Sequence, residues 1–229
     1  MPPPAGRGMT TSQPTVTQQV ADELLGQVSL LAEQVGSAEG LALLAGTTRS
    51  ERFDCVTDAS SLRQFLSRYH SQVLLPLELP SICRAYHHAC RYEIRELIVL
   101  DRQMAGQPMP QCFATASQRV GKTLLKRFRP LRDQRLVQRY VGAVEAGEAH
   151  AWHTLIYGLI LSLYSLPLRQ GLLNYAQQTT RGFVLSVASR LRLGASECRD
   201  LIDEACSGFP AALEQVFESD GNQPRLLVL

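Results

Sequence analysis

Apolar residues recur every three or four positions along most of the chain. This is helical periodicity, because 3.6 residues make one turn and such positions share one face of a helix. Nowhere do apolar and polar residues alternate over a run rich in β-branched side chains, so no sheet is predicted. The predicted fold class is therefore all-α, a single globular bundle of roughly eight helices. The predicted helices begin near residues 20, 58, 81, 111, 131, 148, 167 and 195.

Capping residues and prolines predict where the second and third helices begin and end. Asp58 stands directly before the second pattern and is a favourable N-cap, because its carboxylate can accept from N–H groups of the first turn. Pro76 and Pro80 are expected to end that helix, since a proline ring removes an N–H donor and clashes with the preceding turn. The third helix is predicted over about 81–100.

The last two patterns carry similar signals. Pro167 opens the seventh helix, because its fixed φ suits the first turn, and Leu172 lies on its apolar stripe. This helix is predicted to end at Gly194. The eighth is expected to kink or split at Gly208 and Pro210.

Composition divides the chain into three parts. Residues 1–14 are rich in Pro, Gly, Ser and Thr and are predicted to be a disordered tail. Residues 15–218 form the all-helical domain, and residues 219–229 form a flexible C-terminal segment. That segment ends in the apolar run Arg225–Leu229, which either folds back on the bundle or becomes ordered on a partner's surface.

The overall composition is that of a cytoplasmic globular protein. Among the 229 residues, 45% are hydrophobic and 19% are charged, and the net charge of +2 disfavours a general polyanion binder. The six cysteines include no CxxC pair, and no secretory signal precedes them, so free thiols are expected. The apolar stretch 151–169 is too short and too interrupted to span a membrane, and a buried central helix is predicted instead.

Two stretches of opposite charge stand out from this balanced total. Between Arg119 and Arg139 there are eight basic residues and one acid, whereas between Glu197 and Asp220 there are seven acids and one base. Such runs are either solvated faces or a pair of complementary docking surfaces for proteins. Nucleic acid is disfavoured because the basic run has no interleaved aromatic residue besides Phe128.

Candidate chemical motifs are few. The run Ser117–Thr123 ends in GKT, but position 116 is alanine rather than the first glycine of a phosphate loop, and no strand precedes it. No nucleophile elbow, HExxH motif or histidine in an acid–base context is present, and His150 and His153 are expected to be packing or surface residues. The sequence therefore predicts no catalytic residue, no cofactor and no enzyme.

One helical face could bind a metal. Cys83, His87 and Cys90 have the spacing i, i+4 and i+7, so they share one side of a helix and could ligate zinc or nickel. A tetrahedral site would need a fourth ligand from another helix, for which His70 and His153 are only nominal candidates. A partly buried helix with inert thiols explains the same pattern, and we predict no metal site.

Six degenerate motifs follow one another along the chain. In order and spacing, over about residues 20–217, they resemble the family of urease accessory proteins called UreF, so the 15–218 domain is identified as UreF-like. Only Gly36 and Gly40 are left of the family's Pro-Val-Gly-Gly-aromatic motif, and no charge remains at 109–113 where the family has an acidic segment. These departures indicate a divergent member. The six motifs are Val56–Phe65 (VTDASSLRQF), Leu77–Tyr86 (LELPSICRAY), Glu96–Arg102 (ELIVLDR), Gln118–Leu125 (QRVGKTLL), Tyr157–Tyr175 and Ser186–Gly194.

The resemblance implies a homodimeric all-α scaffold that is not itself an enzyme. Proteins of this kind bridge a second accessory protein (UreD, also called UreH) to the nickel-carrying GTPase UreG, and the assembly helps to insert nickel into apo-urease. On this chain the resemblance implies a UreD/UreH contact through the acidic 197–220 helix and through Arg225, Leu226, Leu227 and Leu229. It implies a contact with the GTPase through Arg190, Arg192, Gly36 and Gly40.

Two other functions fit the residues as well. One is an unrelated helical adaptor that binds another protein. The other is a metal-binding helical protein that uses Cys83, His87 and Cys90.

Overall fold

The computed structural model describes residues 56–107, 111–127 and 135–221, and within these ranges the chain is helical and contains no strand. The predicted all-α fold class is confirmed. The predicted first helix, near residues 20–36, lies outside the described residues. The described helices are α1 (Ala59–Tyr69), α2 (Leu79–Cys90), α3 (Ile94–Met104), α4 (Gln111–Arg127), α5 (Arg135–Glu145), α6 (His153–Leu163), α7 (Leu168–Leu191), α8 (Ala195–Cys206) and α9 (Phe209–Gly221).

Asp58 is the N-cap of α1, as predicted. The Ser61 N–H donates to Asp58 Oδ1 at 2.8 Å, and the Asp58 N–H donates to Ser61 Oγ at 3.0 Å. This reciprocal capping box satisfies backbone donors that the first turn would otherwise leave free. These bonds hold the pKa of the Asp58 carboxyl below its usual value.

The expectation that Pro76 and Pro80 end the helix is wrong. The chain continues from α1 into α2 through the π-helical segment His70–Glu78, in which Pro76 lies. There the Leu79 N–H donates to the Leu74 carbonyl, five residues back, and this wider turn gives the Pro76 ring room that an α-turn would deny it. Pro80 is the second residue of α2 and likewise lies within this continuous helix instead of ending it.

The predicted third helix is in fact two helices, because the chain turns at Tyr92. With φ of 58°, Tyr92 donates its N–H to Ala89, and Glu93 donates its N–H to His88 at 2.9 Å. These bonds satisfy carbonyls in the last turn of α2 and direct the chain into α3. The expected split of the last helix is confirmed, since α8 ends at Cys206 and α9 begins at Phe209.

The core consists of two hydrophobic clusters that share α2 and α6. The first cluster is built from α1, the π-helical segment, α7, α8 and α9, with Phe113 at the start of α4, and the second from α3, the rest of α4 and α5. The two shared helices touch closely at Gly158, where a Cβ would lie 2.5 Å from the Ile82 carbonyl oxygen. Residues 153–161 of α6 are all buried, which confirms the predicted central helix. Among the described residues, none of the helices has the length and apolarity that a membrane span requires.

Candidate docking surface and its buried support

The two arginines predicted to bind a partner at the end of α7 have different environments. Arg190 donates from Nη2 to the Val56 carbonyl oxygen at 3.0 Å and so fastens the residues before α1 to α7. Arg192 is exposed, and its side chain forms no hydrogen bond or ion pair within the described ranges. Arg192 is therefore available for a partner, whereas Arg190 already binds the backbone before α1.

Backbone geometry fixes where Arg192 lies. Its φ of 56° is left-handed, and it ends α7 with two bonds: Arg192 N–H to Ser189 at 3.3 Å and Leu193 N–H to Ala188 at 2.9 Å. This is the usual helix-ending pattern, in which Leu193 packs back against the core. The helix ends at Leu191, so the predicted end at Gly194 is three residues too late, and Gly194 is instead the N-cap of α8.

An exposed face of α7 extends from Arg192 toward the middle of the helix. Arg181 and Leu185 are one turn apart and lie on one side of α7, and the exposed Arg192 follows directly after its last residue. We call Arg181, Leu185 and Arg192 the α7 face. Leu185 is 50% exposed, and α7 contains no acidic residue. An exposed apolar side chain between arginines is typical of a protein-docking surface.

An acidic face lies on α8, which packs against α7 through Cys198 and Leu201. Glu204 forms an ion pair with Arg63 of α1, with Arg63 Nε and Glu204 Oε2 2.9 Å apart. Glu197 accepts the Gly194 N–H at 2.7 Å and completes the helix start. The exposed acids that form the acidic face are Glu197, Asp200, Asp203 and Glu204.

A buried polar chain connects the helices behind these faces. Tyr69 donates its hydroxyl to Glu78 Oε2 at 2.6 Å, and the Tyr175 hydroxyl also hydrogen-bonds to Glu78. His153 Nε2 forms a short hydrogen bond with the Tyr175 hydroxyl, and His153 Nδ1 lies 2.5 Å from Ser117 Oγ. These five buried residues, which we call the core network, join α1, the π-helical segment, α7, α6 and α4.

One arrangement of protons satisfies the whole core network. If both tyrosines donate to Glu78, the Tyr175 oxygen can accept from His153 Nε2–H. His153 Nδ1 then accepts from the Ser117 hydroxyl, whose oxygen receives the backbone N–H of His153 at 3.3 Å. Every member has a partner, as buried polar groups require.

Burial changes the pKa values of the ionisable members. It raises the pKa of Glu78 to about 7, although the hydrogen bonds from the two tyrosines partly oppose this. Burial also lowers the pKa of His153 to about 4, so this imidazole is neutral at physiological pH. Only Glu78 therefore changes its charge near neutral pH.

The model of one protein family, described as UreF, matches residues 56–204, which is well over half of the chain. The chain belongs to the UreF family. This is a family of urease accessory proteins and not of catalysts. No curated protein matches the chain.

Two residues in the UreF-like motifs hold the loop between α5 and α6. Asp101 accepts the Tyr140 hydroxyl at 2.5 Å, the His150 N–H at 2.5 Å and the Ala151 N–H at 3.1 Å. Gly121 packs so closely against this loop that a Cβ would overlap the Ala151 carbonyl oxygen. Asp101 and Gly121, which lie in the motifs of this UreF protein, therefore stabilise the fold by fixing the α5–α6 loop. Sequence reasoning missed both. The signal in the sequence was an aspartate directly after the apolar run Leu97–Leu100, and only the structure shows that it is fully buried.

The GKT sequence of this UreF protein does not form a phosphate loop. Residues 117–123 lie inside α4, where the backbone N–H groups belong to helical hydrogen bonds, and Lys122 is exposed. The prediction of a solvated helix lysine is confirmed.

The Cys83, His87 and Cys90 positions share a side of α2 but do not form a metal cluster. Cys83 is fully buried, with its Sγ 4.0 Å from His87 Nδ1, whereas Cys90 is exposed and its Sγ lies 3.3 Å from Ser162 Oγ. In the part of the chain that the structure describes, no three His, Cys, Asp or Glu residues are placed to hold a metal ion. Cys83, Cys90, Cys198 and Cys206 are free thiols.

The remaining predicted contacts lie outside the described residues. They are Gly36 and Gly40 near the amino terminus and Arg225, Leu226, Leu227 and Leu229 at the carboxyl terminus.

Proposed function

We propose that this UreF-family protein is a non-enzymatic scaffold that bridges a UreD/UreH-type accessory protein and a UreG-type GTPase and so assists nickel insertion into apo-urease. The match of the UreF family model to residues 56–204 carries this proposal. A cytoplasmic homodimer is part of it. The exposed charged faces on α7 and α8 support a role in binding proteins.

The α7 face is the proposed contact with the GTPase. Arg181 and Arg192 form no ion pair within the described ranges, so a partner's carboxylates can reach them, and Leu185 supplies an apolar anchor between them. Gly36 and Gly40 belong to the same proposed contact. Arg190 contributes by fixing the start of α1 beside the end of α7.

The acidic face of α8 is the proposed contact with the UreD/UreH-type protein. Its carboxylates favour a basic partner surface and would set the orientation of the encounter. The C-terminal residues Arg225, Leu226, Leu227 and Leu229 would add apolar contacts, with their ordering free energy supplied by binding.

Activation of urease in a strain that lacks its own UreF tests the function. We expect the gene for this chain to restore urease activity and the purified protein to retain both accessory proteins in a pull-down. If the folded protein restores no activity and retains neither accessory protein, the proposed scaffold function is wrong.

A charge reversal on the α7 face tests whether this face binds the GTPase and not the UreD/UreH-type protein. Arg181→Glu combined with Arg192→Glu should abolish retention of the GTPase while retention of the UreD/UreH-type protein persists, since the acidic face is unchanged. Arg91→Glu combined with Arg95→Glu is the matched control, because it changes the net charge equally at two exposed arginines at the end of α2 and on α3. Equal retention of the GTPase by the double variant and the control would contradict this assignment.

A further inference from the structure

The spacing of buried side chains explains the π-helical segment His70–Glu78. Along α1 and α2 the buried positions recur every three or four residues, as an α-helix requires. Across the segment the interval widens to four or five, because Tyr69 is followed by the buried pairs 73–74 and 78–79. An α-helix would rotate the second pair away from the side that Tyr69 faces, whereas the wider π-turn keeps all of these residues on one side.

The same geometry brings Tyr69 and Glu78 together. The two residues are nine positions apart, which is about two and a half turns of an α-helix, so in an α-helix they would lie on opposite sides. In a π-helix, which bonds to the fifth residue back, this distance is about two turns, and the Tyr69 hydroxyl donates to Glu78 Oε2 at 2.6 Å. The hydrogen bond and the π-helical conformation therefore depend on each other.

Glu78 also fastens the segment to α7. The Tyr175 hydroxyl bonds to Glu78, and His153 of α6 stands behind Tyr175. A protonated Glu78 keeps these contacts, because its O–H can donate to the Tyr175 oxygen while Tyr175 donates to His153 Nε2. An ionised Glu78 can accept from both tyrosines, but among the described residues no cation lies against it. A buried carboxylate without a counter-charge is stabilised when it reaches water.

The segment is suited to local opening. Its outer side, at Ser71, Gln72 and Pro76, is exposed. Pro76 has no N–H to donate, so one backbone hydrogen bond is missing there. Segments with few backbone bonds and an exposed side can open at a lower free energy than global unfolding requires.

Release of α1 would change both proposed docking surfaces. Arg63 on α1 forms the ion pair with Glu204 of the acidic face. Val56, just before α1, accepts the hydrogen bond from Arg190 near the end of α7. Both contacts depend on α1 remaining in the first hydrophobic cluster, where Leu62 and the rest of its buried side pack.

We propose that the π-helical segment is a proton-controlled latch: Glu78 holds α1 in the bundle while it is protonated, and loss of this proton favours local release of α1. Burial raises the pKa of Glu78 to about 7, so the closed state binds this proton more tightly and the latch weakens as the pH rises toward 7.

His70, the first residue of the segment, acts in the opposite direction. Its Nε2 lies 2.8 Å from Thr180 Oγ1 of α7, and its ring packs against Phe209 of α9. Burial lowers the pKa of His70 to about 4. Release would expose this ring, so His70 favours release as the pH falls below 6.5. A test of Glu78 must therefore cancel the contribution of His70.

Hydrogen exchange of the purified chain at about pH 6 and about pH 8 tests the latch. Glu78→Gln is the reference, because its amide keeps the shape but does not ionise, and His70 is present in both proteins. At the higher pH we expect residues 59–78 to be protected about tenfold less than α6 or weaker still, since they open without global unfolding. Their opening constant divided by that of the variant should rise about tenfold between the two pH values.

Two tyrosine substitutions distinguish the latch from general packing. Tyr69→Phe removes the hydroxyl that spans the π-helix and should raise the opening constant of residues 59–78 by about fivefold. Tyr140→Phe is the matched control, because it removes a hydrogen bond to another buried carboxylate, Asp101, in the second cluster. It should leave the exchange of residues 59–78 unchanged.

Three outcomes overturn the inference. Residues 59–78 that are as well protected as α6 open only in global unfolding. A ratio of opening constants that is the same at both pH values means that Glu78 does not control α1, and equal effects of the two tyrosine substitutions mean that the Tyr69 bond is not specific. None of these results bears on the proposed scaffold function, because the measurement uses the chain without partners.

Discussion

At the scale of single residues, the positions that matter most to the fold are those where backbone and side chain approach unusually closely. Gly121 leaves no space for a Cβ beside Ala151, and Asp101 gathers three donors from α5 and the following loop. Ala151 has a φ of 63°, a conformation that disfavours side chains, so the loop depends on these contacts. In the UreF-like motifs, Asp101 and Gly121 are therefore residues that stabilise the fold.

Gly121→Ala tests this close approach. The new methyl group would collide with the backbone of the α5–α6 loop, and we expect a loss of about 2–3 kcal/mol in the free energy of unfolding, measured with urea. Gly142→Ala is the matched control, because nothing lies within 4 Å of its Cβ position in α5. It should stabilise the protein by about 0.5–1 kcal/mol. Equal effects of the two substitutions would show that close packing at Gly121 is unimportant.

At the scale of helices, α7 shows why burial must be known before a function is assigned. It contacts both its amino-terminal and carboxyl-terminal neighbours, and its buried side includes Leu172, Tyr175 and Val184. Its exposed side carries the α7 face. The sequence predicted the buried stripe, because its apolar residues are regularly spaced, and Leu185 is not part of that spacing. Only the structure shows that the Leu185 side chain is half exposed.

A pair of leucine substitutions tests this division of α7. Leu172→Asp would place a carboxylate at a fully buried position without a partner, so we expect a loss of about 4 kcal/mol or more and unfolding of the bundle. Leu185→Asp changes the same side chain at a half-exposed position and should cost about 0.5 kcal/mol or less. Thermal unfolding monitored by circular dichroism measures the stability of both variants. If the Leu172→Asp protein is as stable as the Leu185→Asp protein, the division of α7 into a buried and an exposed side is wrong.

At the scale of the whole molecule, the core network connects the two hydrophobic clusters. Glu78 and Tyr69 lie in the helices of the first cluster, and Ser117 lies in α4 of the second. The pKa of Glu78 is about 7 in the folded protein and 4.5 when exposed, so the folded state holds this proton more tightly. Its contribution to stability is therefore full below pH 4.5 and is lost as the pH rises to about 7.

Glu78→Gln isolates this contribution, because the amide keeps the shape but does not ionise. The free energy of unfolding of the variant minus that of the unmodified protein should increase by about 3 kcal/mol as the pH rises from about 4 to about 8. His70 and His153, whose pKa values burial lowers to about 4, act in the opposite direction as the pH falls below 6.5. They are present in both proteins and cancel in the comparison. A pH-independent difference would mean that Glu78 does not titrate in this range.

Interactions between residues that are close in sequence determine the helices of this protein, so these could be predicted from the sequence alone. Apolar spacing predicted an all-α fold, a short polar side chain before a helix predicted the Asp58 cap, and an uncharged run predicted the buried α6. The order of the motifs predicted the UreF family. Each of these signals depends on residues that are near in sequence, so no contact between distant segments was needed.

Only the tertiary structure decided the features that depend on distant segments. Pro76 remains inside a continuous helix because a π-helical turn accommodates it, and Arg190 is bonded to a carbonyl 134 positions earlier. Glu78 has a raised pKa because α1 and α7 close around it and remove water. Spacing along the chain does not encode these distances, since they arise when helices pack.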